Sequence, residues 1–333
     1  VTRQTRRSVA SLGLATLASA AAFAALAFLG AIRDTRLPAV QAVVLIPSGA
    51  SGRAIAQLLA ENKIVGSAFA FELLAGIKGE RAGMKAGEFR FEAHRPMTAI
   101  LDQVVDGTGQ TAVWVTIPEG FTAREIAQSL ARASLGRPEA FEREFFAERL
   151  AFDGVRTANL EGYLFPETYL VPNGATPREI AAQMTGQFRA ELPPDAAALA
   201  RHLHLTIAQV VTVASLVERE AQADDERALM AGVYYNRLRR GMPLQVDATI
   251  EYTFRRHKSV ITAADLARDS PYNTYEHRGL PPTPIANPGR ASLWAAFHPR
   301  PSPYLYYVAM GNGRSAFSRT LAEHNANVAR YLK

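Results

Sequence analysis

Two glutamates two residues apart, Glu218 and Glu220, close the apolar run VVTVASLVERE. On a helix that spacing sets the two side chains about 200° apart, so the pair cannot share one proton. Glu220 follows Val213, Leu216 and Val217 on one face, whereas Glu218 follows Val211, Ala214 and Ser215 on the other. A carboxyl near a helix C-terminus meets the negative end of the dipole, and apolar walls disfavour its ionised form. Both effects raise its pKa, as a general acid requires. The competing outcome is a glutamate at a solvated helix end, paired with Arg219 or Arg227. Two further acids, Glu161 and Glu167, stand among aromatics in LEGYLFPETYLVP. Such a run serves as a sugar platform, or as an irregular packed connector whose carboxylates cap turns.

Downstream, Gln245, Asp247 and Thr249 follow one another in PLQVDATIEY, which reads as non-helical. Then SPYNTYEHRGLPPTPIANPG gathers Tyr272, Asn273, Tyr275 and Asn287 on a Pro-rich stretch. Stiff loops bearing rings and amides suit a carbohydrate cleft, where rings stack on sugar faces and amides bond hydroxyls. PYLYYVAMGNG reads as a strand with a turn, and His324-Asn325 falls in a last helix. Several other chemistries are ruled out. The chain has no cysteine, which removes thiol nucleophiles, disulfides, iron–sulfur clusters and Cys-type zinc sites. Its seven histidines lack ligand spacing, so neither a metal nor a cofactor is expected. Net charge is +6, and Arg3, Arg6 and Arg7 supply three of those charges. The rest is scattered among acids, which argues against a nucleic-acid partner.

The elements that must position these residues read as an α+β (mixed α/β) fold. Thr206 and Gln209 form a capping-box pattern ahead of the helix that ends in Glu220. A second, amphipathic helix spans Asp225–Arg239 with Leu229, Val233 and Leu238 inward, and Gly241 and Pro243 end it. Earlier in the chain, VLIPSGASGRAIAQLLA from Val44 repeats at an offset of 71 as VTIPEGFTAREIAQSLA from Val115, with ten of seventeen positions identical. Each copy reads as strand, I-P-x-G turn and helix, with Ser51 and Thr122 at the helix caps. After the first copy come a helix at Ala68–Ile77, a strand at Gly87–Phe91 and a helix at Thr98–Asp106. That module suits a small glycan- or peptide-binding unit, or a purely structural one. Helices are also expected at Arg137–Leu150 and from about Pro177 to Leu192. At the start, Ser8–Ile32 carries no charge and follows three arginines, which predicts a membrane anchor with residues 1–7 in the cytoplasm. A cleaved leader ending near Ala18-Ser19-Ala20 is the alternative. The expected partition is 1–7 tail, 8–32 anchor, 33–40 linker, 41–112 first module, 113–205 second strand–helix unit and connector, and 206–333 catalytic domain.

Taken in order, A-S-L-V-E-x-E at Ala214–Glu220, V-Y-Y-N-R-L at Val233–Leu238, M-P-L-Q-x-D-x-T at Met242–Thr249 and Y-N-T-Y at Tyr272–Tyr275 form one set. It continues with G-L-P-P-x-P-I-x-N-P-G at Gly279–Gly289, H-P at His298–Pro299, Y-L-Y-Y-V at Tyr304–Val308 and H-N at His324–Asn325. With E-G-Y-L-F-P-E-T-Y at Glu161–Tyr169, the set resembles the YceG-like family of endolytic murein transglycosylases. Glu167 stands where Asp is frequent in that family, and Met242-Pro243 replaces other residues before Leu-Gln; neither departure touches the acid. The resemblance implies an enzyme anchored in the inner membrane, with a LysM-like subdomain at 41–112 and a periplasmic catalytic domain whose catalytic glutamate is Glu220. It implies cleavage of the MurNAc-β-1,4-GlcNAc bond of peptidoglycan to 1,6-anhydroMurNAc ends, terminating nascent strands alongside peptidoglycan synthases. Asn236, Gln245, Asp247, Tyr272, Asn273 and His324 are the candidates for binding or orienting the sugar. Two rivals stay open: a hydrolase with Asp247 or Glu161 as second carboxylate within about 10 Å, and a non-catalytic wall anchor.

Overall fold

The computed structural model describes the backbone of residues 3–47, 49–152, 155–254 and 261–332, with side chains from Ala18 onward. The chain forms two compact units: Val1–Val113 with Leu170–Thr176, and Trp114–Tyr169 with Pro177–Lys333.

In the first unit, α1 (Arg3–Arg33) leads into β1 (Ala42–Ile46), α2 (Gly52–Glu61), α3 (Ala68–Lys78), β2 (Gly87–Phe91) and α4 (Met97–Asp106). β1 and β2 pair antiparallel with Val44 opposite Phe89. Their alternation buries Val44, Ile46, Phe89 and Phe91 and turns Val43 and Leu45 outward. Ser51 and Ser67 cap α2 and α3 by accepting a backbone N–H each. Ile55, Leu59, Phe71, Leu74, Ile100 and Leu101 complete this core, and Phe28 and Ile32 of α1 pack against it. The expected span Ser8–Ile32 falls within α1, although the side chains of Ser8–Leu17, like the first two residues of the tail, lie outside the described ones. Among the described residues no single helix is long and apolar enough to cross a membrane; the apolar piece of α1 is Ala18–Arg33.

Strands β3 (Ala112–Thr116) and β6 (Thr168–Pro172) pair with each other, and the chain passes from one unit to the other within each of them. Between them lie α5 (Ala123–Arg132), α6 (Pro138–Ala147) and the two-residue strands β4 (Ala151–Phe152) and β5 (Val155–Arg156). The repeat is written into the caps: Ser51 and Thr122, at the sequence offset of 71, each precede a ten-residue helix. Next come α7 (Pro177–Glu191), α8 (Ala196–His202) and α9 (Ile207–Glu220). A 3₁₀ turn at Asp224–Glu226 leads to α10 (Arg227–Arg239), followed by α11 (Asp247–Tyr252), α12 (Ala263–Leu266) and α13 (Arg290–Phe297). The antiparallel hairpin β7 (Tyr306–Ala309) and β8 (Ser315–Ser318) and the helix α14 (Leu321–Tyr331) close the chain.

α9 is the spine of the second unit. Every residue from Val210 to Val217 is buried, and α10 and α13 pack against it. Three sequence expectations need correction. α10 is buried nearly all round rather than amphipathic, because α9 and α13 pack against it and Tyr307 of β7 meets its Tyr234; Leu238, expected inward, is only half-buried. Residues 247–252 are helical rather than irregular. Six residues carry too weak a periodic signal to read, and the turn is held by a distant partner: Thr274 Oγ1 accepts from Val246 N at 2.9 Å and meets Thr249 Oγ1 at 3.0 Å. Finally, α6 stops at Ala147, three residues before the expected end, where the chain turns into β4.

Candidate active site

Glu220 is the last residue of α9, and the i,i+2 spacing sends the two glutamates to different surroundings. Glu218 Oε2 accepts from Gly289 N at 3.0 Å, and Arg227 Nη1 stands 3.6 Å from its Oε1. Arg219, between them, pairs with Glu251 at 3.0 Å. The pairing with Arg227 foreseen for a helix-end glutamate is thus taken by Glu218, which leaves Glu220 free of any cation partner among the described residues.

Glu220 instead meets hydroxyls. Tyr307 Oη lies 3.1 Å from Glu220 Oε2, and Tyr234 Oη lies 2.9 Å from Tyr307 Oη. The two rings meet edge to face, 6.1 Å between centroids. The backbone N–H of Ala248, in the first turn of α11, faces the carboxyl and favours its charged form. Glu220 keeps some exposed surface, yet the protein packed around it pushes its pKa up to about 7, with the nearby Asp247 charge adding to the effect and the Tyr307 hydroxyl opposing it. A carboxyl so tuned holds a proton near neutrality and releases it readily, which is what an acid that later serves as base needs.

The other sequence candidates fall into two groups. Asp247 borders Glu220 and accepts a hydrogen bond from Tyr275 Oη. Gln245, in the left-handed region at φ 52, turns its Oε1 to within 3.3 Å of Arg237 Nη1. The Arg237 guanidinium donates to the carbonyls of Leu305 at 2.6 Å and Leu244 at 2.8 Å and lies 5.1 Å over the Tyr306 ring. His324 also stacks on the Tyr306 ring, 5.3 Å between centroids, with Nδ1 enclosed; burial and the Arg237 charge lower its pKa. Tyr272 Oη bonds Thr283 Oγ1 at 2.8 Å. Asn273 and Asn236, by contrast, spend their amides on backbone. Asn273 is fully buried and donates to Leu266 O and Arg268 O at 2.8 Å each. Asn236 donates to Ser302 O and Tyr304 O, again at 2.8 Å, and so ties α10 to the segment that enters β7.

Glu161 is fully enclosed. It accepts from Ala123 N at 2.9 Å, Asn287 Nδ2 at 3.1 Å and Tyr252 Oη at 3.1 Å. Burial pushes its pKa up to about 7. Asn287 completes this clamp by accepting from Gly162 N and Leu164 N at 2.9 Å each. Gly162 sits at φ +89 with room for no side chain, since a Cβ would come within 2.4 Å of Pro284. The run around Glu161 is therefore a packed connector rather than a sugar platform, and Glu167 is spent on its neighbour's N–H, that of Thr168. Tyr307, Tyr234 and Arg237 escaped the sequence-based site. Their signal was present in the V-Y-Y-N-R-L and Y-L-Y-Y-V motifs, and strand alternation in β7 separates Tyr307 from Tyr306.

A carboxyl with a raised pKa and no cation partner among the described residues, bordered by Asp247 and set among hydroxyls and aromatic rings on an α+β body, defines a site for acid–base chemistry on a polar substrate. The chain belongs to the YceG-like family, whose model matches residues 44–330. It is 34% identical over 303 residues to an endolytic murein transglycosylase of Bacillus subtilis (strain 168), covering 86% of this chain and 84% of that one. An endolytic murein transglycosylase of Streptococcus pneumoniae serotype 2 is 28% identical over 319 residues, of which this chain spans 58% of the length. The crystal structure of a putative YceG-like protein from Listeria monocytogenes superposes with a TM-score of 0.58 at 29% identity, covering 86% of this chain and 98% of that one.

Proposed function

We propose that this chain is an endolytic lytic transglycosylase of peptidoglycan, with Glu220 as its sole acid and base. The observation that carries the reading is the Glu220 carboxyl, bonded to the Tyr307 hydroxyl at 3.1 Å with no cation partner among the described residues and its pKa near 7, in a chain similar to proteins named endolytic murein transglycosylase. In this reading the protonated Glu220 gives its proton to the glycosidic oxygen between MurNAc and GlcNAc. The resulting carboxylate then takes the proton of the muramyl C6 hydroxyl, whose oxygen closes on C1 to give a 1,6-anhydro end. The sugar supplies the nucleophile, so no second carboxylate is needed, unlike the paired-carboxylate hydrolases. Glu161 is unsuited to that second role because it is sealed in the connector clamp. Asp247, with Tyr275 at its side, is placed to orient sugar hydroxyls beside Glu220, and Gln245, Tyr272 and His324 are proposed to line the same sugar-binding surface.

The wider assignment follows the same proposal. Ser8–Ile32, charge-free behind Arg3, Arg6 and Arg7, anchors the chain in the inner membrane with the body in the periplasm. The module at 41–112 is a LysM-like glycan receptor, and cleavage terminates strands made by neighbouring synthases. The decisive experiment incubates the purified chain with uncrosslinked glycan strands and weighs the products by mass spectrometry. Anhydromuramyl ends, absent with Glu220→Gln, are the expected result. Reducing ends would assign hydrolysis and make Asp247 the second carboxylate; intact strands would leave a wall-binding protein without chemistry.

A further inference from the structure

Tyr234 and Tyr307 form a closed hydroxyl pair on the inner side of Glu220. Tyr307 reaches the carboxyl from β7, and Tyr234 reaches Tyr307 from α10. Tyr234 is fully buried. Burial and the adjacent Glu220 hold both phenols well above their ordinary pKa, so each keeps its proton throughout the working range. A phenol that stays protonated can still donate or accept by turning one O–H bond. The Tyr234–Tyr307 bond can run in either direction. Two arrangements therefore satisfy the chain: Tyr234 to Tyr307 to carboxylate, or protonated Glu220 to Tyr307 to Tyr234.

We infer that Tyr307, backed by Tyr234, is a reversible positioning device that holds Glu220 in one orientation through both halves of its acid–base cycle, reversing its hydrogen bonds as the carboxyl loses and regains its proton. The inference rests on the proposed role of Glu220. An arginine or a backbone N–H can only donate, and a carbonyl can only accept; either would favour one protonation state and resist the other. A hydroxyl serves both, and the second hydroxyl behind it gives Tyr307 a partner in each direction. No proton leaves the pair in this scheme, because each O–H only rotates. The charge-assisted bond to the carboxylate is the stronger of the two arrangements, so Tyr307 also eases ionisation of Glu220 against the burial that opposes it.

Kinetics of the full chain with Tyr307→Phe and Tyr234→Phe on soluble glycan strands tests this. Tyr307→Phe should lower kcat about 10- to 100-fold with KM within about twofold, at or below the lower bound of about 10²-fold for the acid–base group itself, as suits a residue that only positions it. The alkaline limb of its kcat/KM profile, which reports loss of the Glu220 proton, should move to higher pH. Tyr234→Phe should shift the limb the same way by less, because Tyr307 keeps its own bond to Glu220. The buried Phe keeps the ring and its packing, and melting temperatures measured in parallel exclude misfolding. If Tyr307→Phe does unfold, Tyr234→Phe alone decides by the same shift. Unmoved limbs in folded variants, or a loss confined to KM, would overturn the inference. An inactive wild-type control would instead sink the transglycosylase reading itself.

Discussion

At the scale of single residues, the two glutamates of one helix end make opposite predictions. Glu220→Gln keeps the volume but cannot donate or reclaim a proton, so product formation should fall about 10²–10⁴-fold with an unchanged melting temperature. Glu218→Gln should leave chemistry largely intact and lower stability by about 1–3 kcal/mol, since it uncharges the buried one of the two carboxylates that pair with Arg227, the other being the exposed Asp224. Calorimetry and product analysis on both variants separate the roles, and the reverse pattern would move the acid to Glu218. Glu161 gives a pH signature. The fold holds its proton up to about pH 7, whereas the unfolded chain releases it near 4.5. Its contribution to stability is thus full below pH 4.5 and fades as pH rises through 7. Glu161→Gln, fixed in the neutral form, should gain melting temperature relative to wild type between pH 5 and 8; a constant difference would show that Glu161 is ionised throughout. The helical phase of Glu220 was legible in the sequence because two positions on a helix can be placed from spacing alone. Tyr307, 87 positions further on, could not be placed against it, because a contact across that distance is decided by packing and leaves no periodic trace.

Among the elements, the clamp built by Glu161 and Asn287 joins the connector before β6, the start of α5 and the Pro-rich segment before α13. Asn287 makes bonds on both sides of its amide, including Nδ2 to Phe121 O at 2.9 Å. Asn287→Ala would strand the N–H groups of Gly162 and Leu164 in a dry interior, and should destabilise the second unit by about 2–4 kcal/mol. Denaturant unfolding checks this, and a loss under 1 kcal/mol would mean that water replaces the amide. The Pro-rich segment carried an unmistakable composition, yet only part of it reaches the candidate site. Tyr275 meets Asp247 at the site, while Asn273 and Asn287 turn inward to hold backbone. Amides and aromatics look alike in sequence whether they await a ligand or a carbonyl, so the direction each takes emerges only with its neighbours. α9 was readable end to end because its capping box and unbroken apolar run are local signals; α11 was not, because Thr274 supplies what its six residues lack.

On the scale of the whole molecule, cell fractionation tests the anchor: the full chain should sediment with membranes and a chain lacking residues 3–33 should not. A full-length chain found wholly soluble, or shortened at its start, would replace the anchor with a leader. Removing Gln41–Thr111 should weaken retention on purified sacculi, and unchanged retention would deny that module its glycan-binding role. That deletion is not clean, however, because Leu170–Thr176 belongs to the first unit although it lies far along the chain. There Asn173 O accepts from Glu88 N and Asn173 N donates to Thr111 O, both at 2.8 Å, while its amide reaches the Glu88 carboxyl. The first unit is thus assembled from two separate stretches of the gene. A recombination event that exchanged its coding sequence at a single breakpoint near Val113 would pair one parent's Glu88 and Thr111 with another parent's Asn173. Such a hybrid would keep the backbone bonds whatever its residues, but the side-chain bonds among Glu88, Thr111 and Asn173 only where both parents carry those residues, so the two stretches constrain each other's sequence.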